Sequence, residues 1–231
     1  MKPLHHHRSL RSDVLAALRN AIITGELAPG SLHSVNNLAT QLGVSRTPVR
    51  EALLGLAAQN MVRFERNRGI RILQTTAHDI EEIMSLRLLL EVPATYRAVG
   101  HLTDADLTRL RLLFTSMQKA AEAGDEQTMV ARDREFHKFL IAGSGNQRLA
   151  SFVDSLRDLV QSRGTTTAGH SRTLTDIVAE HLPILEMAEK RDAAGAARMM
   201  QEHLTHTTTL LLTQESPGLA SLDHWPAWAF E

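Results

Sequence analysis

Four residues in the second half of the chain have side chains that bind transition metals: Asp133, His137, His181 and His203. Asp133 and His137 are four residues apart, so they share one face if this segment is helical. His181 and His203 belong to two later helical segments. Together the four side chains would leave positions open on a zinc, nickel or manganese ion. The chain has twelve histidines, and a lone buried histidine is usually only a hydrogen-bonded polar group, so spacing alone leaves both interpretations open.

A second group of chemically active side chains lies in the first third of the chain, which is basic. Residues 1–73 contain ten Lys and Arg against four Asp and Glu, a net charge of +6, whereas the remainder carries −7. A basic module joined to an acidic remainder is typical of a protein that binds a polyanion, and chance clustering of charge is the alternative. The residues expected to contact double-stranded DNA are Arg46, Thr47, Arg50, Arg66 and Arg68.

Apolar periodicity and turn residues predict the elements that position this basic group. The predicted elements are helices at 12–24, 35–42 and 45–59, then strands at 61–65 and 70–73. Gly43 permits a tight turn between the second and third helices. This order predicts a winged helix-turn-helix, in which Arg46 and Arg50 at the start of the third helix face bases and phosphates. Arg66 and Arg68 lie on the hairpin turn, within reach of the DNA backbone or the minor groove.

The rest of the chain has a helical period almost to its end, which predicts an all-α antiparallel bundle and a mainly α protein. The predicted helices are at 77–98, 104–123, 126–142, 147–163, 172–190 and 193–213. Pro183 falls inside one of them, where it would bend the helix or mark a later helix start. The expected domains are 1–75 and 76–214. The tail at 215–231 contains Trp225 and Trp228, and is either disordered or docked on another surface.

Composition limits the remaining function classes. The chain has no cysteine, so disulfides are excluded and any metal site must use histidines and carboxylates. No run of 18 apolar residues and no signal peptide is present, so we expect a cytoplasmic protein without membrane association.

Residues 38–53, LATQLGVSRTPVREAL, resemble the signature of GntR-family repressors, as do residues 23–30, ITGELAPG. The resemblance implies that Arg46 and Arg50 make the main DNA contacts with help from Thr47, and that the wing tip at Gly69 enters the minor groove. Asn36 stands where many relatives have an arginine, so the operator sequence does not carry over.

The segments 132–137, 180–185 and 199–204 are similar to the FCD domain of the FadR-type branch, in its six-helix, VanR-like subgroup. The similarity implies that Asp133, His137, His181 and His203 hold a divalent metal, most often zinc, whose open positions take a carboxylate of an effector. It also implies that Arg87 contacts this small organic acid. The alternative is that Arg87 merely pairs with Glu91 along its own helix.

These resemblances together imply a homodimeric transcription regulator. In this family the commoner mode of control is repression, in which binding of an organic-acid effector releases the protein from its operator. Two alternatives come from other function classes. A metal-dependent hydrolase would use the metal to activate water, with Glu135 as the nearest candidate acid or base. An architectural DNA-binding dimer would have a bundle that only dimerises, without an effector.

Overall fold

The computed structural model describes residues 10–74, 76–161 and 166–215, and the described chain divides into two compact units. The first unit comprises residues 10–74 together with residues 158–161, and the second comprises 76–157 and 166–215. The predicted tail with Trp225 and Trp228 lies outside the described residues, apart from its first residue, Glu215.

The first unit has the predicted order of three helices and a hairpin, with one additional short strand. Its elements are α1 (Leu10–Ile23), β1 (Leu32–His33), α2 (Val35–Gln41), α3 (Arg46–Ala58), β2 (Val62–Glu65) and β3 (Gly69–Ile72). The sheet order is β1-β3-β2, and both pairs are antiparallel. Sequence analysis missed β1 because a two-residue strand has no periodicity of its own.

Apolar side chains at helical and strand spacing build the core of the first unit. On α1 the buried residues are Val14, Leu18 and Ile22, a spacing of four residues. On β3, Ile70 and Ile72 are fully buried, whereas Arg71 between them is only partly buried, as strand alternation requires. α3 and the β2–β3 hairpin therefore pack on the same hydrophobic core.

The second unit is helical, as the sequence predicts. Its helices are α4 (Ala77–Val99), α5 (Asp104–Glu122), α6 (Glu126–Ala142), α7 (Gln147–Gln161), α8 (Leu174–Ala179), α9 (Leu182–Glu189) and α10 (Ala193–Glu215). The end of α7, residues 158–161, groups with the first unit. Within the second unit, α4 packs against α10 and α6, and α5 packs against α6, α8 and α9.

Threonine–aspartate capping boxes fix where three of these helices begin. In each box the threonine hydroxyl accepts from the aspartate N–H and the aspartate accepts from the threonine N–H, which satisfies two otherwise unpaired donors. The pairs are Thr76 with Asp79 on α4, Thr103 with Asp106 on α5, and Thr173 with Asp176 on α8. The helix starts are thus set locally, before the bundle packs.

The single helix predicted at 172–190 is wrong. The structure has α8 and α9 there, with His181 as the N-cap of α9 and Pro183 in its first turn. A proline lacks the N–H that a continuous helix needs, but it fits the first turn of a new one. Of the two roles considered for Pro183, the later helix start is the one observed. The described part of this unit consequently has seven helices, not six.

No helix among the described residues is both long and apolar enough to cross a membrane.

Gly69 provides a test of the first unit. Its φ is +115°, and a Cβ built on it would lie 2.2 Å from the carbonyl oxygen of His33. We expect Gly69→Ala to lower the free energy of unfolding by about 3 kcal/mol, because backbone strain and overpacking add. Gly25→Ala is the control, since Gly25 also has positive φ (+77°) but open space around it, and it should cost about 1 kcal/mol. Urea unfolding followed by circular dichroism measures both, and equal losses would contradict the close approach.

Candidate metal centre and nucleic-acid interface

The turn between α2 and α3 determines which side chains the first unit presents. Ser34 caps α2 through a hydrogen bond from the Asn37 N–H, and Gly43 has a φ of +65° in the turn. α3 then begins at Arg46 and buries Val49, Ala52, Leu53 and Leu56 in the core. Because that face points inward, the other face of α3 is left for solvent or for a ligand.

The structure places the predicted DNA contacts of α3 on this outer face. Arg46, Thr47 and Arg50 are all exposed. Among the described residues, neither arginine has an ion-pair partner. Each guanidinium is therefore available for an external acceptor.

The wing presents further cations, and two of them, Arg71 and Arg68, pair with Glu65 within the hairpin. Arg71 pairs with Glu65 and donates to the carbonyl of Gly30 at 2.6 Å, which ties β3 to the loop before β1. Exposed Arg68 lies 3.4 Å from the same Glu65. Exposed Arg66 has no ion-pair partner among the described residues.

Two features of the wing were not evident from sequence. Arg63 is exposed on β2 and has no ion-pair partner within the described chain, and sequence analysis did not single it out. Gly69 is explained by its close approach to His33. This contact accounts for the glycine without reference to DNA.

In the second unit, three histidines from different segments meet in the interior. His137 lies on α6, His181 caps α9 and His203 lies on α10, and the nitrogen atoms that each offers to a metal all lie within 4.8 Å of one another. Asp133, one turn before His137, has its Oδ1 2.8 Å from His181 Nε2 and 3.9 Å from His137 Nε2. The structure thus brings together all four residues predicted from the sequence.

The hydrogen bonds of the three rings fix which nitrogen faces the centre. His137 Nδ1 lies 2.9 Å from a carboxylate oxygen of Glu91, and His181 Nδ1 lies 2.8 Å from the carbonyl oxygen of Ile177. His203 Nδ1 lies 3.0 Å from Glu180. Since a carboxylate or a carbonyl oxygen only accepts, each Nδ1 must carry the hydrogen, and in a neutral ring Nε2 keeps its lone pair.

This tautomer assignment tests whether a cation fits the site. His137 Nε2 and His181 Nε2 are 3.1 Å apart, a distance at which two lone pairs repel unless a proton or a metal ion lies near them. Burial lowers the pKa of His137 to about 3 and that of His203 to about 4, so both rings are neutral near pH 7. The residues therefore fit a divalent cation held by imidazole nitrogen and carboxylate oxygen.

Glu180 is the acceptor that joins His203 to the surrounding helices. One of its oxygens accepts from His203 and from Arg172 at 2.6 Å, and the other accepts from His206 at 2.8 Å. Although burial opposes ionisation, the hydrogen bonds from His203 and Arg172 lower the pKa of Glu180 to about 2. Glu180 is therefore ionised at neutral pH, and it contacts Nδ1 of the candidate metal ligand His203.

Arg157 on α7 is a residue of this site that sequence analysis missed. It donates to Asp133 Oδ2, while Oδ1 of the same carboxylate faces the histidines. Although burial would raise the pKa of Asp133, the Arg157 guanidinium holds it well below its usual range. The sequence does contain one indication of this role: Arg157 is a charged residue close to Leu156 and Val160, at a buried position of α7.

Arg87 pairs with Glu91, the alternative that the sequence left open, and the pair is buried. The Arg87 Nε–Glu91 Oε1 distance is 2.6 Å, and Glu91 uses its other oxygen for His137. Burial lowers the pKa of Arg87, while Glu91 counteracts this. Arg87 Nη2 nevertheless has no hydrogen-bond partner among the described residues, so the pair leaves a donor for another group.

Glu135, the acid or base considered for a hydrolase, is exposed and pairs with Arg132 at 2.7 Å. It is therefore not one of the groups that face the three rings.

Comparison with known proteins agrees with this architecture. Residues 10–72 match the family described as "Bacterial regulatory proteins, gntR family", and residues 82–206 match the "FCD domain". The HTH-type transcriptional regulator YdhC of Bacillus subtilis is 30% identical over 191 residues, which are 82% of this chain and 85% of that protein.

Two further relatives match over most of their length. The probable D-xylose utilization operon transcriptional repressor of Paenarthrobacter nicotinovorans is 29% identical over 220 residues, covering 94% of this chain and 95% of that protein. The structure of E. coli McbR/YncC has a TM-score of 0.80 at 27% identity, covering 91% of this chain and 100% of that one. The chain therefore belongs to the GntR family, in the FadR-type branch with an FCD domain, and it is a DNA-binding transcriptional regulator rather than an enzyme.

Proposed function

We propose that this regulator is a homodimeric repressor whose operator binding is controlled by a small organic acid, bound at a divalent metal in the second unit. The observation that carries the proposal is the set of three imidazoles whose Nδ1 hydrogens are all engaged elsewhere. Asp133, His137, His181 and His203 would hold the metal, most often zinc, with nickel or manganese as alternatives. As a Lewis acid, the bound ion would supply open positions for a carboxylate.

On the DNA side, the proposal assigns base and phosphate contacts to the outer face of α3. Arg46 and Arg50, with Thr47 between them, would enter the major groove. Arg66 and Arg68 on the hairpin turn, with Gly69 at the start of β3, would follow the adjacent backbone or minor groove. Support comes from the exposure of these side chains and from the lack of ion-pair partners for three of the four arginines within the described chain. The protein would bind its operator in the cytoplasm.

For the homodimer, support comes from an apolar stripe on α4. Leu86, Leu89 and Tyr96 are 40%, 48% and 56% exposed, and their spacing places them along one side of the helix. A row of large apolar side chains in water is typical of an interface between subunits. Two copies would present two α3 helices to a short palindrome.

For the effector, support comes from the buried Arg87 Nη2, which still has a hydrogen to donate. A carboxylate that reaches both the metal and Arg87 would bias the protein between arrangements with different affinity for the operator. We propose that binding of the effector releases the protein from its operator. The relative named as a repressor of a D-xylose utilization operon is consistent with control of a catabolic operon.

The DNA interface is tested by removing single guanidinium groups. We expect Arg46→Ala and Arg50→Ala each to weaken operator binding by about 10- to 100-fold, because a bidentate base contact is lost. Fluorescence anisotropy with the operator duplex measures the change. The matched control is Arg109→Ala, an exposed arginine on α5, which should bind normally. Wild-type affinity in both α3 variants would refute the assigned contacts.

The metal site is tested on α10. We expect His203→Ala to lower metal affinity by more than about 100-fold, a larger loss than supporting residues usually cause. Elemental analysis after dialysis gives the metal content. His206→Ala is the control, because His206 lies three residues on, is exposed, and contacts Glu180 instead of the other two rings. Equal metal content in the two variants would exclude His203 as a ligand.

The dimer is tested at the centre of the apolar stripe. We expect Leu89→Glu to weaken dimerisation by at least about 10-fold, since a buried carboxylate at an interface has no partner. Sedimentation equilibrium measures the dissociation constant. Leu112→Glu changes an equally large apolar residue on α5 that is 57% exposed, and it should leave the dimer intact. If Leu89→Glu remains a wild-type dimer, another face forms the interface.

A further inference from the structure

Two buried guanidinium groups lie beside the candidate metal centre. Arg87 is 5% exposed and Arg157 is 6% exposed, and they come from different helices, α4 and α7. Arg87 pairs with Glu91, whose other carboxylate oxygen contacts His137, and Arg157 pairs with Asp133, whose other oxygen faces His181. Buried arginines are rare in proteins and are normally satisfied by several acceptors, because guanidinium has five hydrogens to donate.

Neither arginine is satisfied by the acceptors that the described residues supply. Arg157 donates to Asp133 through Nη2, but its Nε and Nη1 have no hydrogen-bond partner within the described chain. Arg87 donates to Glu91 through Nε, and its Nη2 has no partner there either. Leaving a buried charged donor unpaired costs free energy. An acceptor from a bound ligand would therefore stabilise these three nitrogen atoms.

The charges in this part of the interior point to the nature of that acceptor. The two arginines balance the two carboxylates with which they pair, Glu91 and Asp133. Adding a divalent cation among neutral imidazoles leaves a double positive charge without compensation. A buried net charge of this size is strongly unfavourable, and an effector with a single carboxylate would neutralise only half of it.

We infer that the effector is a small dicarboxylic acid, one carboxylate of which takes the open positions of the metal while the other accepts hydrogen bonds from Arg157 and Arg87. This inference rests on the proposed function, because it needs the metal and an acid effector. Guanidinium groups suit the second carboxylate, since their planar N–H arrays match its two oxygens. Arg157 is thus a specificity residue that separates diacids from monoacids.

The experiment compares acids matched in chain length on the zinc-loaded full chain. The pairs are propionate with malonate, butyrate with succinate, and valerate with glutarate, and calorimetry gives the affinity of each. In at least one pair we expect the diacid to bind at least about 10-fold more tightly, as charge-assisted hydrogen bonds are the strong ones. Arg157→Gln should remove this preference by weakening the binding of the diacid at least about 10-fold more than that of the monoacid, since only the diacid places a second carboxylate against Arg157.

A second variant and two controls keep the test independent of the metal ligands. Because Arg157 touches Asp133, Arg87→Gln is tested in parallel, and zinc content is measured for each variant. Exposed arginines on the same two helices supply the controls, Arg148→Gln on α7 and Arg97→Gln on α4. Both controls should keep the diacid preference.

Two kinds of failure are distinguishable. If monoacids and diacids bind the zinc-loaded protein equally in all three pairs, or if the preference survives in both Arg157→Gln and Arg87→Gln, the diacid inference is wrong and the acid-responsive regulator stands. If the wild-type chain binds no zinc, or none of the six acids, the proposed function fails and the inference fails with it.

Discussion

The second unit depends on one constraint: three imidazole rings in its interior are each held by an acceptor at Nδ1. Glu91 on α4, the Ile177 carbonyl on α8 and Glu180 after α8 supply these acceptors. The rings must then turn their Nε2 atoms towards one another, which is unfavourable unless a cation lies among them. Packing of the helices and affinity for a metal are consequently linked, because the helices that form the bundle also carry the acceptors.

Much of the first unit could be predicted from sequence because its determinants are local. Gly43, Pro48 and the apolar spacing of α3 define the turn and the buried face within some fifteen residues, and the structure has the outer arginines where that pattern requires. The two-residue strand β1 could not be found in this way. Its pairing with β3 depends on Gly69 approaching His33, a contact between residues 36 positions apart.

The candidate metal residues could be found through motif similarity, but their supporting residues could not. Nothing in the local sequence says that Arg157 meets Asp133, or that Glu180 collects hydrogen bonds from Arg172, His203 and His206. These contacts exist only after α6, α7, α8 and α10 have packed. The break at Pro183 has a similar origin, since a proline inside an apolar run is compatible with a kink or with a new helix, and packing decides between them.

Some nitrogen atoms of Arg87 and Arg157 have no hydrogen-bond partner in the described part of the chain, and this has a practical consequence for handling the protein. With a divalent cation among the three histidines this interior would have a surplus of positive charge and would retain a small anion, so citrate, malonate or sulfate from a purification buffer would stay bound during purification. Operator affinity measured in such a buffer would be that of a partly occupied regulator. Preparations exchanged into chloride would then differ in apparent repressor strength from those made in polycarboxylate buffers, without any change in sequence.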